Sequence, residues 1–279
     1  MNKHRISIPA FAIIFVLALP SCGQQPDTAV YKDKAPETSV QYPPVIDTAG
    51  KTIAERFNPP PGYARTPVDS VSFGAYLRRL PLKPHGALVK YHHGGYKTRN
   101  NVYIAVVDMK IGKRDLEQCA DAVMRLRAEY LYKNKRYSEI HFNFLGDGKP
   151  RYYKNYAGSD YSYARFLKYM NYIFAYANTA SLHDELKPVE NFQEIQAGDV
   201  FIQKGNPYGH AAIIVDVAEN TAKSKKMFLL AQSYMPAQET QILENPNNPE
   251  TSPWYATDFT GSLYTPEWTF EKGDLRRFR

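Results

Sequence analysis

Three β-rich runs in close order constrain this chain more than any other feature. The first is Asp199-Val-Phe-Ile-Gln203, followed by a turn from Gly205 to Gly209. The second is His210-Ala-Ala-Ile-Ile-Val-Asp-Val217, and a polar loop through Lys226 leads to the third, Met227-Phe-Leu-Leu-Ala-Gln-Ser233. Connections this short join strands as hairpins, so the runs predict an antiparallel meander. Upstream, Val102–Val107 and Glu139–Phe144 read as further strands. Helices are expected at Val71–Leu80, at Asp115–Tyr132 and over the long aromatic stretch Tyr161–Leu186. Helices packed against an antiparallel sheet predict an α+β class. From Pro236 onward the chain is rich in Pro and Asn, with Trp254 and Trp268, and reads as a wrapping tail rather than a second domain.

A hydrophobic fraction of 43% over 279 residues supports a sizeable core and excludes a largely disordered chain. The first 21 residues do not belong to that core. Lys3, His4 and Arg5 precede an apolar run ending Ala10-Phe-Ala-Ile-Ile-Phe-Val-Leu-Ala-Leu19, which is too short to span a membrane and fits a secretory leader. Leu19-Pro-Ser-Cys22 follows and resembles a bacterial lipobox. That resemblance implies cleavage before Cys22, lipidation of Cys22, and a folded domain outside the cytoplasm, anchored in the cell envelope at the outer membrane. Residues 22–58 are Pro-rich with little periodicity and read as a tether. Residues 59–279 then form one domain, expected as a monomer.

Loss of Lys3 and Arg5 takes the formal charge from +7 to +5. That is modest, and the one tight basic run, Lys223-Ser-Lys-Lys226, sits in the polar loop of the meander, so no nucleic-acid partner is expected. His92-His93 are adjacent and cannot share one metal from a strand. Gly146-Asp-Gly-Lys149 lacks phosphate-loop spacing. No metal and no cofactor are therefore expected.

With Cys22 assigned to the anchor, Cys119 is the single thiol of an exported domain and has no disulfide partner. Asp115 suits a helix N-cap and Gln118 completes the capping-box spacing, which places Cys119 in the first turn, where the helix dipole favours a thiolate. Leu116, Cys119, Val123, Leu126 and Tyr130 also form an apolar stripe, so a buried, inert cysteine fits the same pattern. His210 opens a strand directly after a turn, a rigid place for a base. In a simple hairpin His210 faces Gln232 or Ser233. Gln232 is preferred as the group orienting the imidazole, because its amide oxygen accepts from a ring N–H.

Gln118-Cys119, Gly198-Asp-Val-Phe-Ile, Tyr208-Gly-His210-Ala-Ala-Ile-Ile-Val and Leu229-Leu-Ala-Gln232 together resemble the papain-like cysteine amidases of bacterial cell walls, of NlpC and CHAP type. The resemblance covers about residues 118 to 233. It implies a papain-like core with a nucleophile on a helix, a base on the first core strand and a polar orienter on the next. These map to Cys119, His210 and Gln232. The expected activity is hydrolysis of an amide in cell-envelope peptide, such as a peptidoglycan fragment, or of a related amide or ester. Ninety-one positions separate Cys119 from His210, more than compact members need, and Ala120 stands where many carry a small hydroxyl residue. The chain as a whole is also similar to a family of Gram-negative lipoproteins without an established activity. The rival expectation is a non-catalytic envelope-binding lipoprotein in which Cys119 is structural.

Overall fold

The computed structural model describes residues 42–99 and 101–279. The leader and Cys22 lie outside the described residues. The compact unit runs from Tyr42 to Arg279. Its first stretch corrects the expected tether: Ile53 and Phe57 are fully buried, and Ile46 bridges Phe57. Pro-rich composition hid this segment because its order comes from long-range packing rather than local periodicity. Among the described residues no helix is long and apolar enough to cross a membrane.

The helices are α1 (Ile53–Arg56), α2 (Phe73–Arg78), α3 (Cys119–Lys133), α4 (Tyr153–Ala157), α5 (Tyr163–Tyr176) and α6 (Thr179–Glu185). The strands are β1 (Ala64–Arg65), β2 (Tyr103–Val106), β3 (His141–Asn143), β4 (Pro150–Tyr152), β5 (Lys187–Pro188), β6 (Val200–Gln203), β7 (His210–Asn220), β8 (Lys225–Gln232), β9 (Gln241–Leu243), β10 (Tyr255–Ala256), β11 (Leu263–Tyr264), β12 (Thr269–Phe270) and β13 (Leu275–Arg277). The class is mixed α and β. One large antiparallel sheet runs β2-β9-β8-β7-β6-β13-β5, with β1 paired to β7 and β10 to β8.

The meander of β6, β7 and β8 is the middle of that sheet, as short connections require. Alternation along it sorts side chains to two faces. Val200, Ile202, Ala211 and Ile213 pack with Val123 and Met124 of α3. Phe201, Ala212 and Ile214 pack with Leu263, Phe270 and Leu275 from the C-terminal region. That region is therefore not only a wrapping tail. β9 and β13 enter the sheet as full members, and the rest covers the face that the helices leave open.

Two helix expectations shift. The aromatic stretch 161–186 is two helices, broken at Ala177 and Asn178. Asn178 caps α6 by accepting from the Ser181 N–H, and the Ser181 hydroxyl in turn accepts from the Asn178 N–H. The third helix starts at Cys119 rather than at Asp115. The Asp115 carboxylate is drawn away by the Ala237 N–H (2.7 Å) and the Gln118 side-chain amide (3.0 Å). Asp121 then accepts from the Gln118 N–H at 3.1 Å and closes the new helix start.

Candidate active site

Cys119 is the first residue of α3, so its backbone N–H has no carbonyl one turn back to bond. Among the described residues it donates to no protein group. The side chain is almost fully buried. Its position follows from the strand ladder. The Ile214 N–H donates to Asp199, beside β6. By alternation the peptide groups of Gly209 and Ala211 turn to the β8 side. Pairing with β8 ends at Ile213 and Ala231, which leaves that edge open. The sulfur occupies it: Sγ lies 4.0 Å from the Gly209 carbonyl oxygen, near the Ala211 N–H, and 3.7 Å from Thr179 Oγ1.

The turn itself requires glycine at 209. A Cβ there would meet the Gln203 carbonyl oxygen at 2.1 Å and Thr179 at 3.1 Å, so the turn before His210 admits no side chain at that position. Beside the sulfur is a cavity of about 130 Å³, lined by Gln118, Thr179, Tyr208, Gly209 and Met235 among others. Tyr208 is exposed at its mouth.

His210 opens β7 and is 2% exposed. The rings of Tyr234, Trp268 and Phe270 surround it, with centroids 5.0, 5.1 and 5.9 Å away. Its Nε2 lies 2.8 Å from Gln232 Oε1. The Gln232 amide nitrogen donates to Glu267 Oε2 at 2.8 Å, and Lys97 Nζ donates to the same oxygen at 2.7 Å. Gln232 does not sit directly across the strands from His210. Extending the Ile213–Ala231 register places Tyr234 there, and Gln232 is the diagonal neighbour on the same face. Ser233, the alternative orienter, spends its hydroxyl on the Gln238 carbonyl at 2.6 Å.

The structure thus joins His210 and Gln232 directly and sets the Cys119 sulfur against the carbonyl of Gly209, the residue before His210. The polar neighbours of the sulfur are Thr179 and Gly209, not the imidazole. Burial decides the charge states. Desolvation pushes the Cys119 thiol up, against the opposing pull of Thr179 and of the Ala120 and Ala211 N–H groups. It also pushes His210 down to about 4, only partly offset by its bond to Gln232. The expectation of a thiolate favoured by the helix dipole is therefore corrected. A helix terminus contributes about 0.3–1 kcal/mol to a charge, and removing that charge from water costs more. At neutral pH the resting pair is a thiol and a neutral imidazole.

A family model described as a domain of unknown function (4846), DUF4846, matches residues 53–277. The chain belongs to the DUF4846 family. The matched span contains all of α1 to α6 and takes in Cys119, His210, Gln232, Lys97 and Glu267. No curated protein and no solved structure matches the chain.

In this DUF4846 member, sequence reasoning missed Lys97, Tyr234, Glu267 and Trp268. Only Tyr234 had a local signal, lying two residues past Gln232 on the same strand face. Lys97 and Glu267 are 170 positions apart, and no spacing rule links them. Among the described residues no group of three or more His, Cys, Asp or Glu side chains comes together to hold a metal ion.

Proposed function

We propose that this protein is a cysteine hydrolase with a papain-like core. Its substrate is an amide in cell-envelope peptide, such as a peptidoglycan fragment, or a related amide or ester. The observation that carries this reading is the 2.8 Å bond between Gln232 and His210 Nε2, on the residue that follows the Gly209 carbonyl touched by Cys119 Sγ at a helix start. Nucleophile at the start of α3, base at the start of β7 and amide orienter on β8, the strand after it, follow the order of papain-like amidases. Lipid at Cys22 holds the domain to the envelope, and the reaction uses no cofactor.

Gln232 holds the Nε2 side of the ring, leaving Nδ1 as the base. Sγ attacks the substrate carbonyl carbon while Nδ1 takes the thiol proton, and the carbonyl electron pair moves onto oxygen. The free Cys119 N–H stabilises that oxyanion, an effect worth about 3 kcal/mol per donor. Collapse breaks the C–N bond, and the amine leaves with the proton from Nδ1. Water then attacks the thioester with Nδ1 again as base, releasing the acid and restoring the thiol. Because both groups are neutral at rest, proton transfer accompanies attack rather than preceding it.

One observation favours the rival, a binding lipoprotein with a structural cysteine: desolvation disfavours the charged forms of both Cys119 and His210. Turnover separates the two readings. Purified protein is incubated with peptidoglycan fragments, and newly released amino groups are quantified by mass spectrometry. Cys119→Ala and His210→Ala are each expected to lose at least about a thousandfold, with the double variant little worse, because members of a catalytic unit are non-additive. Full hydrolysis by Cys119→Ala would end the hydrolase reading.

A further inference from the structure

We infer that Glu267, held in place by Lys97, is a positioning residue that fixes which nitrogen of His210 carries the proton. The inference deepens the proposed reaction and takes its consequence from it, but its geometry stands without a substrate.

The argument runs inward from Lys97. An ammonium only donates. Lys97 is 4% exposed and directs Nζ to Glu267 Oε2 at 2.7 Å and to Gln238 Oε1 at 3.1 Å. A carboxylate beside that ammonium only accepts. Glu267 Oε2 also lies 2.8 Å from the Gln232 side-chain amide, so Gln232 must present its NH2 there. The Gln232 oxygen is then the atom 2.8 Å from His210 Nε2, and an oxygen accepts. Nε2 is therefore the protonated nitrogen, and the Nδ1 lone pair is free.

A glutamine alone could not impose this. Its amide can turn over, and with NH2 toward the ring it would stabilise the opposite tautomer. Glu267 removes that freedom. The hairpin of β11 and β12 carries Glu267 at its turn. Its Trp268 and Phe270 rings pack on the imidazole, and Trp268 Nε1 donates to Gln203 Oε1 at 2.9 Å, tying the hairpin to β6. One element of the C-terminal region thus sets both the orientation and the proton position of the base.

The test is long-range nitrogen–proton NMR of His210 in the purified full chain at neutral pH, without substrate. The wild type is expected to carry its proton on Nε2. Glu267→Gln, an isosteric change that removes the acceptor-only group, is expected to give a mixed or reversed tautomer, and Glu267→Asp to restore the wild-type signal. Iodoacetamide alkylation of Cys119 is the second readout. Glu267→Gln should slow it about tenfold, a modest share of what a base contributes, and should change nothing in a His210→Ala background. A wild-type proton on Nδ1, an unchanged tautomer in Glu267→Gln, or equal slowing in both backgrounds overturns the inference. The wild-type spectrum alone tests it if the variant does not fold. A chain that turns over no substrate yet shows the fixed tautomer sinks only the hydrolase reading. Cys119-dependent turnover with the wrong tautomer sinks only this one.

Discussion

The longest strand, β7, carries a buried ionisable side chain near each end, and the two are treated in opposite ways. Toward its C-terminal end Asp216 is fully buried and sits between two guanidinium groups, Arg65 at 2.6 Å and Arg78 on its other oxygen. Both carboxylate oxygens are engaged, and both arginines are anchored further by backbone carbonyls. At its first residue His210 is as deeply buried but meets a neutral amide on one nitrogen and aromatic faces around the ring. The great majority of buried polar groups that only hold a fold together are satisfied, and Asp216 is satisfied at both oxygens. His210 is bonded by Gln232 at Nε2, and among the described residues no protein group bonds its other ring nitrogen. Burial is common to the two ends, and the spare valence distinguishes them.

Breaking the Asp216 end should have the larger effect on stability. Asp216→Ala strips both guanidinium groups of their shared carboxylate, and breaking a buried ion pair by removing one partner typically costs about 3–5 kcal/mol. Denaturant melts should show a midpoint shift of that size. A loss under about 1 kcal/mol would mean that the arginines relax to solvent and the cluster is not structural.

The His210 end should speak through pH. Its folded value of about 4 lies below the ordinary 6.5, so the unfolded chain binds the proton more readily. Stability from this residue is complete above pH 6.5 and is lost as pH falls toward 4, up to about 3 kcal/mol. Glu185 works in the opposite sense. Burial pushes it up to about 7, so the folded chain holds its proton longer and stability falls as pH rises between 4.5 and 7. The two trends oppose each other in the wild type. His210→Phe should therefore remove the opposing rise and leave the decline that Glu185 shares with the other carboxyls pushed up by burial, Glu117, Asp121 and Asp199, a stability that falls from about pH 4.5 to 7. A curve of unchanged shape in that variant would show that His210 is not held neutral by burial.

The sequence makes the partnership of His210 with Gln232 legible because a short meander leaves few residues able to face the base. The exact register is not legible. The turn closes Asn220 against Lys225, a register that alone would carry Met235 to His210; the bulge between Ile214 and Asp216 takes back one residue, so Tyr234 lies across from His210 and Gln232 on the diagonal. Asp115 misleads for a similar reason. Its spacing to Gln118 is that of a cap, but the Ala237 N–H, contributed from 122 positions away, claims its oxygen. Local rules describe what a segment prefers in isolation, and contacts of this range can reassign the groups those rules count. Glu267 and Lys97 show the limit of the approach, since nothing near either residue marks it as part of a site.

The smallest expected effect tests whether Cys119 belongs to the structural kind or to the reactive kind. Its neighbours are polar, namely Thr179 Oγ1, the Gly209 carbonyl and two backbone N–H groups, rather than a closed apolar shell. Trimming one sulfur atom beside an existing cavity removes little packing, so Cys119→Ala should cost about 1 kcal/mol or less in a denaturant melt. The same thiol should alkylate slowly near pH 6 and faster as pH rises past the ordinary thiol range of about 8.5, because burial disfavours the thiolate. Fast labelling at pH 6 would mean that the pair is charged at rest, and that proton transfer precedes attack. A melt shifted by several kcal/mol in Cys119→Ala would instead place Cys119 with Asp216, as a residue whose burial serves the fold alone.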